Sequence, residues 1–143
     1  MAWRGALAGA AAAAVWNAYD PLLKRLFDTP YADSEVLGPF ITTGRYEWLA
    51  NLVTHAGGGA TFGYLFERFG GRTARDGVIA AVGENTALWP AVAIVGWLHP
   101  KRRNGEWPPL LLNGRAFAAA TTGHAIFGVL LGGGVSRFGG ARP

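Results

Sequence analysis

The side chains in this sequence best suited to chemistry are two histidines and a glutamate set in apolar surroundings: His55, His124 and Glu84. Ionisable groups are costly in hydrocarbon and tend to mark sites where they occur there. His55 is followed at helical spacing by Gly59 and Gly63, and His124 by Gly128 and Gly132, so each histidine shares a helix face with two glycines. Both lie about two turns in from the same boundary of their segments, which sets them at matched depth. Three chemistries fit such a pair. Each imidazole can hydrogen-bond a neighbouring helix, with Asn51, Thr54, Thr121 or Thr122 as nearby polar groups. The pair can serve a polar solute or a proton path. Alternatively, both rings can face a gap between helices and hold haem or quinone. The glycines one turn away oppose haem, because they draw helices together where a porphyrin forces them apart.

Glu84 precedes Asn85 and Thr86. It lies about 10 Å in from the opposite boundary, and the histidines about 10 Å from theirs, in a hydrocarbon core of about 30 Å. The remaining gap is short enough for a Glu–His pair, direct or through water. Such a pair can relay protons or bind a cation. A protonated Glu84 that only hydrogen-bonds a neighbouring helix is the plainer alternative. Asn51 and Asn85 complete the candidate polar set.

Other chemistries find little support. With no cysteine, disulfides, thiolate zinc sites and cysteine nucleophiles are excluded. No phosphate-binding glycine loop, zinc signature or Ser-His-Asp arrangement stands out. The run Lys101-Arg102-Arg103 suits anionic lipid headgroups. The formal net charge is only +4 and is spread over both ends of the segments, which argues against nucleic acid. His99-Pro100 reads as a helix exit with a capping histidine. A non-enzymatic protein without a cofactor is expected, haem through His55 and His124 being the alternative.

The elements that must position these groups follow from where charge is missing. The chain has 143 residues, half of them hydrophobic and 15% charged, a length suited to one domain. Spans 5–19, 48–66, 77–98 and 116–135 contain a single charged residue, Glu84. A soluble bundle would carry charge on the outer face of each helix; these spans lack such a face, so lipid is the expected solvent. The alanine-rich start after Arg4 also resembles a signal peptide, but it has no clear cleavage site and is read as the first membrane helix. Trp16, Trp48, Trp97 and Trp107 fall near one boundary and Trp3 near the other, as in an interfacial belt.

The chain also repeats itself. His55-Ala56 recurs as His124-Ala125, Gly59 and Gly63 as Gly128 and Gly132, and Arg68-Phe69-Gly70-Gly71 as Arg137-Phe138-Gly139-Gly140, all 69 residues on. Pro39 with Gly44-Arg45 recurs as Pro109 with Gly114-Arg115 at offset 70. Each copy reads as helix, polar connection, helix, so the copies are parallel repeats about an axis along the membrane normal.

Histidine followed by spaced glycines in the second helix of each of two hairpins resembles the YagU-like small bacterial membrane proteins. That resemblance implies a four-helix membrane protein and no mechanism. The expected architecture is therefore all-α: an integral membrane four-helix bundle of two tandem hairpins, repeat 1 about 1–72 and repeat 2 about 73–143. A bacterial-type inner membrane is the expected location. Lysines and arginines of the two faces, Arg142 among them, are nearly balanced, so cytoplasmic termini rest on the short arginine-rich central loop alone. Gly-xxx-Gly faces at Gly5 and Gly9, Gly59 and Gly63, and Gly128 and Gly132 are expected to pack helices and to join copies of the chain. Gly57 and Gly134 lie off those lines and should be milder to substitute.

Overall fold

A computed structural model describes residues 2–138. Gly139, Gly140 and Arg142 lie outside the described residues. Of the described residues 78% are helical, and none of them is in a strand. In order, the helices are α1 (Trp3–Leu26), α2 (Gly38–Ile41), α3 (Glu47–Arg68), α4 (Ala74–Leu98), α5 (Pro100–Arg103) and α6 (Gly114–Phe138), and a 3₁₀ turn at Asp33–Glu35 precedes α2.

The ends of the long helices are written in local chemistry. α3 stops where Gly70 adopts a left-handed φ of 92°. The Gly71 amide then donates to the Phe66 carbonyl and the Gly70 amide to the Glu67 carbonyl, closing the last turn as a Schellman motif. Two residues later α4 starts from a reciprocal cap: Thr73 Oγ1 accepts from the Asp76 amide at 3.1 Å, and Asp76 Oδ2 accepts from the Thr73 amide at 3.0 Å. α4 ends at His99, before Pro100, and Asn113 caps α6 by accepting from the Ala116 amide at 2.9 Å.

Packing rests on small residues. α1 packs against α3, α4 against α6, and α1 against α6. Gly5 and Gly9 meet Gly63 and Gly59, so that a Cβ at any of the four would overlap facing backbone; Gly128 meets Gly77, and Gly132 meets the Thr73 carbonyl. Close backbone approach of this kind gains van der Waals contact that larger side chains would forbid. Each of the six glycines finds a packing partner within the chain. Gly57 borders open space, as expected. Gly134 does not: a Cβ there would come 2.9 Å from that of Ala8. About 200° of rotation separates it from Gly132, which turns it from α4 towards α1. Gly133 is the open position on that helix.

Two clusters form the interior. Alanines 8, 12, 13 and 81 surround Trp16, Phe66, Phe127, Leu131 and Val135 in the first. The second ties the connecting segments to α4 and α6 through Tyr31, Trp89, Trp107, Leu110 and Ala116. Trp16 and Trp107 are each only 2% exposed. They are core residues and not part of an interfacial belt, because each has aromatic or polar partners inside; Trp3, Trp48 and Trp97 are exposed. Of the four expected spans, α4 and α6 are long and apolar enough to cross a membrane. α1 and α3 have the length, 24 and 22 residues, but Asn17, Asp20, Pro21 and the basic ends dilute the apolarity of α1, and Asn51, Thr54, His55 and the glycines that of α3.

Candidate functional site

α3 and α4 follow one another in sequence yet share no packed seam. A pocket of about 330 Å³ opens there. Thr54, His55, Gly58 and Phe62 of α3 form one wall, and Glu84, Leu88 and Val92 of α4 the other. Trp16 of α1 with His124 and Phe127 of α6 lies at the base, and residues 33, 34, 36 and 37 of the 3₁₀ turn and its exit cover one end.

The base is organised by Trp16. Its ring meets His55 edge-on at 5.0 Å and His124 at 4.7 Å between centroids. Gly123 makes room for it, since a Cβ there would overlap the indole. The indole Nε1 donates to Asp20 Oδ1 at 3.1 Å, and Asp20 Oδ2 accepts from both the amide and the hydroxyl of Ser34. One tryptophan thus links the two histidines to the turn that covers the pocket.

Hydrogen-bond directions fix what each imidazole holds. Asn17 Nδ2 donates to the Ala13 carbonyl at 3.0 Å. A carbonyl only accepts, so the amide orientation is set, and the same nitrogen, 3.1 Å from His55 Nδ1, donates to it. His55 therefore accepts at Nδ1 and carries its proton on Nε2. His124 is the reverse. Its Nδ1 donates to the Ala120 carbonyl at 2.9 Å, and its Nε2 lies 3.1 Å from Glu84 Oε2. The His124–Glu84 contact then holds one proton, on the carboxyl or on Nε2, and the pair is neutral overall either way.

Thus His55, His124 and Glu84 meet in one pocket. Asn85 does not join them: its amide donates to Thr121 Oγ1 at 3.0 Å and ties α4 to α6. Asn51 is buried under Gly38 with its Oδ1 unpartnered, beside a second cavity of about 400 Å³ lined by Asp20, Lys24 and Glu35. Haem does not fit. Both nitrogens of His124 and one of His55 are engaged, and a porphyrin would have to displace the buried Trp16. Among the described residues no group of three or more His, Asp or Glu side chains is arranged to hold a metal ion.

Lys101, expected at lipid headgroups, is turned inward. Its Nζ lies 2.9 Å from Glu35 Oε2 and 3.0 Å from Glu47 Oε1, and its side chain is 15% exposed. Burial alone would lower its pKa, but the two glutamates together hold it above the ordinary lysine value. Lys24 reaches the same Glu35 at 2.7 Å. Arg102 donates to the Trp107 carbonyl at 3.3 Å, and only Arg103 of the basic run is fully exposed. His99 does cap α5, accepting from the Lys101 amide at 3.2 Å. It is also fully buried, stacks on Trp107 at 4.0 Å, and donates from Nε2 to the Glu35 carbonyl at 3.1 Å. Burial holds its pKa below the ordinary histidine value.

Sequence reasoning missed Trp16, Asn17, Asp20, Asp33, Ser34 and Gly123. One signal was present: Trp16 and Asn17 stand 68 residues before Glu84 and Asn85, close to the repeat offset. The chain matches no protein-family model, no curated protein and no solved structure.

Proposed function

We propose that this chain is an integral membrane protein of four spanning helices, formed by two tandem hairpins, that handles protons through Glu84 and His124. The membrane reading is supported by an interior of alanine and glycine beneath large outward apolar side chains. Ile79, Ile94, Trp97 and Leu98 are each more than 60% exposed, an arrangement costly in water and favourable in lipid. The repeat reading is supported by paired contacts: Gly9 with Gly59 and Gly5 with Gly63 correspond to Gly77 with Gly128 and Thr73 with Gly132. A bacterial-type inner membrane, with both termini and the arginine-bearing α3–α4 turn in the cytoplasm, completes the proposal.

The observation that carries the function is the 3.1 Å contact between Glu84 and His124 in the wall of a pocket they share with His55. A carboxyl and an imidazole that hold one proton between them are neutral together in an apolar region, and the proton can pass from one to the other without changing the pair's net charge. Infrared difference spectra between acidic and basic pH test this. A protonated-carboxyl band should vanish in Glu84→Gln and shift in His124→Asn. A glutamate band indifferent to residue 124 rejects the reading.

A further inference from the structure

The charge, shape and opening of the α3–α4 cleft together select a class of ligand. Two carboxylate side chains, Asp33 and Glu84, line it, and no lysine or arginine does. At its rim Leu37 and Leu88 are 54% and 48% exposed, and Gly58 borders open space. Since α3 and α4 share no seam, the mouth lies on the side of the bundle, among outward apolar side chains.

We propose that the cleft binds a lipophilic organic monocation, of quaternary ammonium or phosphonium type, which enters sideways between α3 and α4 and displaces the proton shared by Glu84 and His124. This rests on the proton-handling reading above. An anion would face two carboxylates at low dielectric with no cationic side chain to receive it. A small hydrated metal ion would need several ligands in exchange for its water, and no such group exists among the described residues. A bulky organic cation is weakly hydrated, and Trp16, Phe62 and Phe127 offer it aromatic surface.

The exchange balances. Before binding, Glu84 and His124 hold one proton and no net charge. The arriving cation brings one positive charge and the pair releases one proton to water, leaving a Glu84 carboxylate beside the cation and a neutral His124. Net charge in the cleft is unchanged. The other titratable groups facing the pair are His55 from α3, Asp33 from the turn, and Tyr19 and Asp20 from α1. Each is already engaged: His55 by Asn17, Asp33 by the Tyr31 hydroxyl, Tyr19 by the Gly123 carbonyl and Asp20 by Trp16 and Ser34.

The test is titration of the detergent-purified full chain with tetraphenylphosphonium chloride, reading heat and, in weak buffer, released protons. Saturable binding with about one proton released per cation is expected. Glu84→Gln should abolish proton release and weaken binding by about tenfold or more, and Gly58→Trp should block the mouth and weaken binding likewise. Binding without proton release, or binding unchanged in Glu84→Gln, overturns the proposal. Absence of binding also overturns it, and the infrared band then decides what falls with it. A band still sensitive to residue 124 leaves the proton reading standing; a missing band removes both.

Discussion

His55 and His124, 69 residues apart, both set a ring edge-on to Trp16, yet they present opposite faces of imidazole chemistry to it. His55 accepts at Nδ1 from Asn17, whereas His124 donates at Nδ1 to its own helix and turns Nε2 to Glu84. The difference lies in the partner helices. α1 supplies Trp16 and Asn17 where α4 supplies Glu84 and Asn85.

The glycine contacts give a sharp contrast in stability. A methyl group at Gly59 or Gly128 meets facing backbone, so Gly59→Ala and Gly128→Ala should each cost about 1–3 kcal/mol. Gly57→Ala and Gly133→Ala enter open space within helices and should stabilise by up to about 1 kcal/mol. Thermal unfolding in detergent reads both. Equal losses at 57 and 59 would remove the close α1–α3 contact from the account.

Lys101 separates an internal ion hub from a headgroup contact. Lys101→Ala leaves Glu47 without its cation and Glu35 with Lys24 alone. Allowing for partial exposure, it should cost about 1–3 kcal/mol. Arg103→Ala, at an exposed position, should leave stability unchanged and affect only binding to anionic vesicles. Denaturant titration of both variants checks the difference, and similar small effects would place Lys101 at the surface.

The helix positions, the glycine lines and the reach between Glu84 and a histidine were all legible in the sequence, because each depends on periodicity or on missing charge. The partner of a glycine face was not, since spacing shows that a helix approaches closely but not whether it belongs to the same chain. Trp16 misled for a related reason: an indole near a segment end looks like a belt residue until Gly123 and Asp20 are seen to enclose it. The turn at Asp33–Glu35 lacks periodicity altogether. Its position depends on Asp20 gripping Ser34 from another element.

His99 should give the connecting segments an acid limit. It is held neutral, donating from Nε2 and accepting at Nδ1, and its pKa is lowered from 6.5 chiefly by burial. The unfolded chain therefore binds a proton there before the folded chain does. Its contribution is complete above 6.5 and is lost as pH falls below that towards the folded value. Stability measured across this range should fall less steeply in His99→Gln; an identical slope would show that His99 is not the titrating group.

Topology is open to labelling, since the chain has no cysteine of its own. In intact cells an impermeant thiol reagent should reach Glu106→Cys but reach Arg72→Cys only after permeabilisation. Both positions are exposed, at opposite ends of α4. Labelling of both from one side would contradict the four-span reading.

The shared proton is tested most directly by ¹⁵N NMR of selectively labelled histidine across pH, in the parent chain and in Glu84→Gln. His55 serves as the internal reference, because its Nδ1 is committed to Asn17. The account predicts that the substitution moves the titration of the His124 nitrogens and leaves His55 accepting at Nδ1. Superimposable His124 titrations in the two proteins would contradict it.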